Sequence, residues 1–346
     1  MTTPDAVTLA QHLAQMRANG CSAAAIEVSS HGLSQHRTAG IAFAAGVFTN
    51  LTGDHLDYHG SMAAYAHAKG ALFRELEPDA IAVVNGADPY AEAVLDGCTA
   101  KLIRVVVGSS GSCDLRVISR NVDVSGMDVC IESKEFGDGS CRVPLVGLHN
   151  AFNVGATIAT AVALGVPLAD ALRSMETATA PRGRLEPVHY ESDDVRVFVD
   201  YAHTDDALAN VLQAVRSVVP PNNALRVVFG AGGDRDRSKR SRMAACACAG
   251  ADFVVVTSDN PRTEDPKTIV DDILLGVPVD AIRRVNAEVD RRAAINQAID
   301  DASAGDVLVI AGKGHEAYQV IGTEKRPFDD VGIAREALAR RRGGDP

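Results

Sequence analysis

The chain has 346 residues, of which 46% are hydrophobic and 23% charged, a composition typical of globular domains and not of disordered chains. Its formal net charge of −11 leaves no basic surplus to neutralise phosphates, which excludes a general binder of nucleic acids. The seven cysteines are scattered without a Cys-x-x-Cys pair, as is typical of reduced thiols and not of a disulfide framework or a zinc site. We therefore expect a cytoplasmic protein of two or three domains without a membrane span.

The first half of the chain alternates between helical and strand patterns. Some segments carry apolar residues at helical spacing and others are short apolar runs, and this alternation predicts a mostly parallel sheet flanked by helices. The predicted elements are helices at 7–19, 61–75 and 149–165 and strands at 23–30, 43–50 and 80–85. Between 101 and 146 the pattern changes to short β segments separated by Gly and Ser turns, which favours an antiparallel flank.

A segment rich in proline and arginine, "TAPRGRLEP" at 179–187, interrupts this pattern. We place the boundary between two domains there, at 1–182 and 183–346. Beyond it the alternation restarts and predicts a second, doubly wound α/β domain. The predicted elements of this domain are strands at 195–200, 226–230, 253–257 and 306–312 and helices at 204–218, 240–250, 266–275 and 288–302.

Three residues of the first domain are candidates for chemistry because they follow predicted strands or lie on the next helix. Glu27 closes the strand "AAAIE", His55 lies in the polar loop "DHLDYHG", and Lys69 lies on the helix after that loop. Taken one at a time, each is more often a surface polar residue. The unusually polar sequences at both strand ends favour a functional role, since loops there are disproportionately functional.

The second domain carries polar loops at four consecutive strand ends, where parallel sheets bind ligands. The loops are "VDYAHTDDAL" (199–208), "VVFGAGGDRDRSKR" (227–240), "FVVVTSDNPRTEDP" (253–266) and "AGKGHE" (311–316), and their titratable residues include Asp200, His203, Lys313, His315 and Glu316. Glycines let backbone N–H groups approach an anion, although a glycine cluster alone is equally typical of a tight turn. Neither G-x-x-x-x-G-K-[ST] nor G-x-G-x-x-G occurs in the sequence.

Eight motifs in this order resemble the Mur ligases, and within them the MurE type, over nearly the whole chain. They are "TTPDA", "EVSSHGLSQHR", "VFTNLTGDHLDYHG", "YAHAKGALF", "VDYAHT", "FGAGGDRDRSKR", "SDNPR" and "AGKGHE". The resemblance implies a central ATP-binding α/β domain followed by a Rossmann-like C-terminal domain. It also implies an activity in peptidoglycan synthesis: ATP phosphorylates the D-glutamate carboxylate of UDP-N-acetylmuramoyl-L-alanyl-D-glutamate, and the amine of meso-diaminopimelate attacks the acyl phosphate.

The resemblance assigns roles to residues of both domains. Glu27 and His55 match magnesium ligands, and Lys69 matches a lysine that becomes carbamylated, which turns a cation into an oxygen-bearing anion of the kind that Mg²⁺ prefers. The residues that match contacts to the nucleotide-linked muramoyl dipeptide are Thr2, Thr3, Ser29, Gln35 and Arg37. Those that match positions around ATP are Asn150, Asn153, Arg184 and Asp200.

The segment "DNPR" resembles the family's signature for diaminopimelate. The resemblance implies that Asp259, Asn260 and Arg262, with Pro261 between them, hold the distal end of this amino acid. A planar guanidinium grips a carboxylate with two hydrogen bonds, whereas lysine as a substrate has no distal carboxylate to offer. The further matching contacts are Arg235, Gly312 and Glu316. The expected partners are these small molecules, without nucleic acid or membrane, and we expect a monomer.

One motif of the family, a phosphate loop of the form G-T-N-G-K-T, precedes "TTPDA" in full-length members and does not occur in this sequence. The resemblance therefore implies a chain truncated at its N-terminus. Three alternatives stay open: a truncated but otherwise intact ligase, which we favour; a non-catalytic module that binds diaminopimelate or a protein partner; and a related ligase of the MurF or folylpolyglutamate type. "DNPR" disfavours the last, and the retention of Glu27, His55 and Lys69 disfavours the module.

Overall fold

The computed structural model describes residues 3–52, 56–109 and 111–343. The chain divides into two compact units. Unit 1 comprises the chain up to Arg120 together with Asp128–Arg142 and His149–Glu176, and unit 2 comprises Asn121–Met127, Val143–Leu148 and the chain from Thr177 onward. Within the described ranges, no helix has both the length and the apolar character that a membrane crossing requires.

The elements up to Met175 are mostly those that the sequence predicts. The helices are α1 (Ala6–Ala18), α2 (Ser30–Ser34), α3 (Leu56–His59), α4 (Met62–Arg74), α5 (Ala91–Leu95), α6 (His149–Ala163) and α7 (Leu168–Met175). The strands are β1 (Ala45–Phe48), β2 (Ile81–Asn85), β3 (Lys101–Val107), β4 (Leu115–Asp123), β5 (Gly126–Glu132) and β6 (Gly139–Val143). Side-chain caps explain two of the helix starts, because Asp5 accepts from the N–H of Thr8 and Ser61 from that of Ala64.

These strands form a sheet in the order β1-β2-β3-β4-β5-β6. Strands β1, β2 and β3 pair in parallel, as the alternation of strands and helices predicts. The antiparallel flank expected at 101–146 is wrong for its first part, because β3 pairs in parallel both with β2 and with β4. The antiparallel flank begins with β4 and β5, which are neighbours in the sheet. Their connection is too short for a parallel crossover, so the two strands must run antiparallel.

The predicted strand at 23–30 is also wrong. Residues 23–29 have no regular structure, and Ser30 already begins α2. Most of the segment is exposed, including Ala23, Ala24 and Ala25. Alanine offers little apolar area and is depleted in strands, so this run gains little by pairing with a sheet.

The core of unit 1 packs α4 against β1 and β2. Phe48 of β1, Phe73 of α4 and Val84 of β2 are all buried in one cluster. Helix α6 contacts β2 and β3, and it lies so close to the sheet that a Cβ at Gly155 would lie 2.3 Å from Val117 Cγ2. A glycine is required at this position because any side chain would overlap a close-packed neighbour.

Every strand and helix predicted beyond residue 183 is present. The strands of this region are β7 (Glu186–Pro187), β8 (Arg196–Asp200), β9 (Leu225–Ala231), β10 (Phe253–Ser258), β11 (Val285–Ala287), β12 (Val307–Ala311), β13 (Tyr318–Ile321) and β14 (Glu324–Pro327). The helices are α8 (Asp205–Arg216), α9 (Ser238–Gly250), α10 (Pro266–Leu274), α11 (Arg291–Asp300) and α12 (Asp330–Arg341), with a 3-10 helix at Val279–Arg284. The sequence analysis missed α12 and the β13–β14 hairpin, whose strands are largely exposed and lack an apolar run.

The main sheet of unit 2 has the order β11-β10-β9-β12-β8-β7. All neighbours pair in parallel except β7, which runs antiparallel to β8. The chain runs from β9 through β10 to β11 and then returns to place β12 between β9 and β8. This order confirms the predicted doubly wound arrangement, and it brings the carboxyl ends of β8, β9, β10 and β12 to one edge of the sheet.

The central strands of unit 2 are buried on both faces. In β12, Val307 and Val309 pack into the cluster that contains helices α8, α9 and α10, whereas Leu308 and Ile310 pack into the cluster that contains α11 and α12. Each of these four side chains is inaccessible to solvent. Strands covered on both sides must be apolar at every position, which is why they appear in the sequence as unbroken apolar runs.

A buried ion pair joins α11 and α12 to the ends of two strands. Arg291 and Asp330 are fully buried, with Nη2–Oδ2 at 2.7 Å and Nε–Oδ1 at 2.9 Å. The same guanidinium donates to the carbonyl oxygens of Ser258 at 3.2 Å and Ala311 at 3.0 Å, the last residues of β10 and β12. Since a buried charge is tolerated only when it is paired and hydrogen-bonded, this arrangement fixes both strand ends relative to the two helices.

Replacing Asp330 with Asn tests this pair. The free energy of unfolding should fall by about 3–5 kcal/mol, because the change leaves the guanidinium of Arg291 buried without its countercharge. The matched control is Glu336→Gln, since Glu336 pairs with Arg292 at 2.8 Å across the same two helices but on the surface. That change should cost less than about 1 kcal/mol. Equal effects of the two substitutions in urea unfolding would contradict the account.

Candidate functional site

The loops that the sequence analysis singled out in unit 2 follow β8, β9, β10 and β12. The loop after β10 is also held by the β13–β14 hairpin, which the sequence analysis did not find. Gln319 Nε2 donates to the carbonyl oxygen of Asp259 at 2.7 Å, the N–H of Arg262 donates to Val320 O at 3.0 Å, and the N–H of Gly322 donates to Arg262 O at 2.7 Å. One side-chain bond and two backbone bonds thus define the shape of the "DNPR" turn.

The side chain of Asn260 is held by contacts within the protein. Its Oδ1 accepts from the N–H of Val320 at 2.9 Å and from Lys313 Nζ at 3.0 Å, and its Nδ2 donates to Glu316 Oε2 at 2.9 Å. Asn260 is buried, with 6% of its surface exposed. This amide therefore joins the "DNPR" turn, the "AGKGHE" loop and the hairpin, and within the described residues its second N–H donates no hydrogen bond.

Arg262 adopts a left-handed backbone conformation with φ of 53°. Such values are uncommon outside glycine and cost about 1–3 kcal/mol, so they persist where the surroundings impose them, often at binding sites. Its Nη1 donates to Gly233 O at 2.7 Å. A Cβ at Gly232 would lie 2.9 Å from that Nη1 and 3.8 Å from Cγ of Arg235, so the two predicted arginines flank the same glycine.

Lys313 is the cation that the sequence analysis named in "AGKGHE" without giving it a role. Its side chain is fully buried, and Nζ lies 3.6 Å from Asp259 Oδ1 and 3.5 Å from Glu316 Oε2. The structure therefore brings together Asp259, Asn260 and Glu316, all predicted from "DNPR" and "AGKGHE", around one lysine. The sequence signal that could have found it is a lysine between two glycines directly after a buried strand.

A second ion network stabilises the turn after β9. Glu264 accepts hydrogen bonds from Arg240 at 2.9 and 3.1 Å, from Arg237 at 2.6 Å and from the N–H of Asp234 at 2.6 Å. The bond from Arg240, followed by that from the backbone of Asp234, lowers the pKa of Glu264 from 4.5 to about 2. Asp234 in turn accepts from the hydroxyl of Thr263 at 2.8 Å, next to Arg262. This network ties the two loops to each other.

The end of β8 contributes Asp200, which the sequence analysis assigned to the nucleotide. Asp200 is buried, and its two oxygens accept from the N–H groups of Leu185 and Ala202, each at 2.8 Å. The guanidinium of Arg184 lies 5.6 Å from the ring centroid of Tyr201, within the range of a cation–π contact. Asp200 thus anchors the segment that carries Arg184 beside the strand end.

In unit 1 the residues predicted to contact the muramoyl dipeptide lie together. Thr3 Oγ1 donates to Glu27 O at 3.0 Å and accepts from the N–H of Ser29 at 2.9 Å. Arg37 Nη1 donates to Thr3 O at 2.7 Å, and its Nε donates to Gln35 Oε1 at 3.0 Å. The structure therefore brings Thr3, Ser29, Gln35 and Arg37 into one polar cluster, whereas Thr2 lies outside the described residues.

Lys69 and Glu27 are the described members of the predicted magnesium set, since His55 lies outside the described residues. Burial lowers the pKa of Lys69, and the carboxylate of Glu27 opposes this effect. A lowered pKa increases the fraction of neutral amine, which is the form that reacts with carbon dioxide. Among the described residues, no three His, Cys, Asp or Glu side chains form a metal cluster. Glu27 offers the hard oxygen that Mg²⁺ takes, and a carbamate on Lys69 would supply more.

A group of rings that the sequence analysis did not assign connects the polar loop to Lys69. His59 stacks on Tyr65 with centroids 4.8 Å apart and forms a 2.9 Å hydrogen bond with Ser30 Oγ through Nε2. His31 and Tyr58 lie 4.1 Å apart beside it. The Nζ of Lys69 lies 5.4 Å from the Tyr65 ring. These contacts fix the start of α4 against α2 and thereby position Lys69.

The remaining two residues predicted to contact ATP lie on α6. Asn153 Nδ2 donates to Asn150 Oδ1 at 3.0 Å, one helical turn away. Asn153 is exposed and Asn150 half-buried. Both amides therefore lie on the same face of α6, at its first turns.

Two models of Mur ligase domains match the chain. Residues 1–161 match the model of the Mur ligase middle domain, and residues 183–314 match that of the Mur ligase glutamate ligase domain. The chain is 44% identical over 337 residues to the UDP-N-acetylmuramoyl-L-alanyl-D-glutamate--2,6-diaminopimelate ligase of Chromobacterium violaceum, with 97% of the chain and 67% of that protein covered. It is 46% identical over 341 residues to the protein of the same name from Thermosynechococcus vestitus, with 98% and 67% covered.

A solved structure of a ligase with this name resembles the chain with a TM-score of 0.71 at 36% identity, and the match covers 99% of the chain and 69% of that structure. The chain belongs to the Mur ligase family, and it spans about two thirds of the length of the relatives named here. The family resemblance and the fold class inferred from the sequence are thereby confirmed.

The Glu264 network predicts a pH dependence of stability. Because the pKa of Glu264 falls on folding from 4.5 to about 2, the stability that it contributes is fully present above the unfolded pKa and is lost as the pH falls through the folded pKa. Glu264→Gln should therefore be less stable than the wild type at pH 7, and the difference should shrink steadily as the pH falls from about 5 toward 2.

Urea unfolding at a series of pH values from 7 to 3 measures this difference. The control is Glu324→Gln, because Glu324 is exposed and, among the residues that the structure describes, pairs only with the exposed Arg326 on the hairpin. That variant should track the wild type at every pH. A Glu264→Gln difference that does not change with pH would show that the carboxylate charge of Glu264 contributes nothing.

Proposed function

We propose that the chain is an ATP-dependent ligase that joins meso-diaminopimelate to UDP-N-acetylmuramoyl-L-alanyl-D-glutamate through an acyl phosphate. The observation that carries this proposal is the "DNPR" turn, where Arg262, in a left-handed conformation, and Arg235 flank Gly232 next to the carbonyl oxygen of Asn260, and where Asp259 is buried. The names of the relatives with 44% and 46% identity support the same substrate. A ligand for this site must carry both a carboxylate and an ammonium.

The distal end of diaminopimelate has this combination of charges. Arg262 uses Nη1 to hold the glycine turn, and its other guanidinium nitrogens have no hydrogen-bond partner within the described ranges. A guanidinium with two free N–H groups grips a carboxylate in a bidentate pair. The carboxylates of Asp259 and Glu316 suit the distal ammonium. A Cβ at Gly312 would lie 2.8 Å from Asp259 Oδ2. Because glycine has no Cβ, the space beside this carboxylate oxygen stays open for the ligand.

The chemical step requires an activated carboxylate, and we assign its residues to unit 1. The γ-phosphoryl group of ATP moves to the D-glutamate carboxylate, the amine attacks the acyl carbon, and inorganic phosphate leaves as the amide forms. Glu27, His55 and a carbamate on Lys69 would hold Mg²⁺, which neutralises phosphate charge during the transfer when it is bound. The cluster of Thr3, Ser29, Gln35 and Arg37 would bind the muramoyl dipeptide, and the same role is proposed for Thr2, which lies outside the described residues.

The resemblance assigns Asn150, Asn153, Arg184 and Asp200 to the nucleotide, and we retain this assignment as a proposal for each residue. Asp200 would act by anchoring the Arg184 segment, since both of its oxygens already accept backbone N–H bonds.

We place the two domains at 1–182 and 183–346, and the break between the two family matches, from 161 to 183, supports this boundary. We further propose that the protein is a cytoplasmic monomer and that its substrates are small molecules.

The amino-acid specificity tests the proposal. The enzyme should prefer meso-diaminopimelate over L-lysine, and Arg262→Ala should raise the KM for diaminopimelate on the order of 10- to 100-fold, because a charge-assisted hydrogen-bonded pair is lost. The measurement is kcat/KM for both amino acids. Arg326→Ala, which removes an exposed arginine of the hairpin, should leave the preference unchanged. Equal use of the two amino acids by the wild type would refute the assignment.

Lys69 provides a separate test of the metal site. Lys69→Ala should abolish the ligase reaction, added bicarbonate should not restore it, and formate or acetate should restore part of it by supplying the oxygens of the missing carbamate. The control is Lys101→Ala, since Lys101 is an exposed residue that pairs with Glu135. Full activity of Lys69→Ala would show that Lys69 has no part in binding the metal.

A further inference from the structure

Lys313 lies between two glycines that adopt left-handed conformations, Gly312 with φ of 117° and Gly314 with φ of 51°. Neither glycine has room for a side chain. A Cβ at Gly314 would lie 2.7 Å from Cβ of Tyr201, and one at Gly312 would lie 2.8 Å from Asp259 Oδ2. Because the backbone is fixed on both sides, the side chain of Lys313 turns inward, where none of it is exposed.

The ammonium of Lys313 contacts three residues that the proposed function gives to the amino acid. Nζ donates to Asn260 Oδ1 at 3.0 Å, and it lies 3.6 Å from Asp259 Oδ1 and 3.5 Å from Glu316 Oε2. Within the part of the chain that the structure describes, Asp259 Oδ2 and Glu316 Oε1 accept no hydrogen bond. Each carboxylate thus directs one oxygen to Lys313 and keeps the other for a ligand.

A buried ammonium is stable only when countercharges offset its loss of hydration. Two other cations also interact with the carboxylates of Asp259 and Glu316. Lys239 is attracted by Asp259, and Arg291 is attracted by both carboxylates. Arg291, however, is already paired with Asp330. Lys313 is the fully buried cation that touches both carboxylates, so it separates two like charges that would otherwise repel each other.

We propose that Lys313 is a positioning residue that determines the amino-acid specificity of this site. Its hydrogen bond selects the orientation of the Asn260 amide, with Oδ1 toward Val320 and Nδ2 toward Glu316. Its charge holds Asp259 and Glu316 at the separation at which their outward oxygens bind a substrate ammonium. The specificity part of this inference rests on the proposed function, whereas the effect of Lys313 on the loop does not.

Lys313→Met removes the charge and keeps an unbranched side chain that is one atom shorter. The KM for meso-diaminopimelate should rise by about tenfold or more, which corresponds to about 1.4 kcal/mol, whereas the KM for ATP should stay within about twofold. Amide hydrogen exchange at Val320, whose N–H is bonded to Asn260 Oδ1, should be faster by a similar factor, and exchange in β9 should not change. Lys313→Arg, which keeps the positive charge, should recover part of the affinity.

The matched control is Lys325→Met. Lys325 Nζ lies 4.4 Å from the centroid of Tyr318, the ring that also lies 5.9 Å from Lys313 Nζ, but Lys325 is exposed on β14. This variant should match the wild type in both measurements. If Lys313→Met does not fold, Lys313→Gln serves in its place, because it keeps a donor for Asn260 without the charge: Val320 should stay protected while the KM for diaminopimelate rises.

The outcomes separate this inference from the proposed function. If the wild type condenses diaminopimelate and the folded Lys313 variants retain its KM and the exchange rate of Val320, the inference about Lys313 is wrong and the proposed function stands. If Val320 exchange responds to Lys313→Met but the wild type uses no diaminopimelate, the loop role of Lys313 stands and the proposed function fails.

Discussion

The ends of β10 and β12 are held by one buried guanidinium, and the loops that we propose bind the amino acid depend on this constraint. Arg291 donates to the carbonyl oxygens of Ser258 and Ala311, which immediately precede Asp259 and Gly312. A buried ion pair is weak evidence for stability, since apolar residues of the same volume often stabilise a core equally well. The Arg291–Asp330 pair therefore makes most sense as a device that sets the separation of two loops, in addition to any stability that it provides.

Polar residues of unit 2 become more exposed along the path from this pair to the predicted ligand contacts. Arg291 and Lys313 are fully buried, Asp259 is nearly so, Arg262 is half-buried, and Arg235 is exposed. A binding site works in this way when the residues that touch the ligand are held by neighbours whose own conformations are locked. Here the locked neighbours, Arg291 and Lys313, are charged. The same two residues therefore fix the positions of the loops and offset the negative charge of the carboxylates.

Much of unit 2 could be predicted from the sequence, because its strands are buried on both faces and therefore appear as apolar runs followed by polar loops. The same reasoning failed at 23–30. The alanines there form an apolar run like that of a strand, but they have too little apolar area to stabilise a strand in a sheet. It also missed the β13–β14 hairpin, because its strands are largely exposed and the two backbone hydrogen bonds that join it to Arg262 leave no trace in the sequence. The roles of Lys313 and Arg291 were hidden for a related reason, because Asp259 and Asn260, which contact Lys313, and Asp330, which pairs with Arg291, are distant from them in sequence.

The most direct test of the account is a structure of the chain with meso-2,6-diaminopimelate bound. The account predicts that the distal carboxylate of the ligand pairs with the free nitrogens of Arg262, at hydrogen-bond distances of about 2.7–2.9 Å, and that its distal ammonium contacts Asp259 and Glu316. The Asn260 amide should keep its bonds to Val320 and Lys313 in that complex. Binding of diaminopimelate at another place, or with its distal carboxylate directed away from Arg262, would contradict the account.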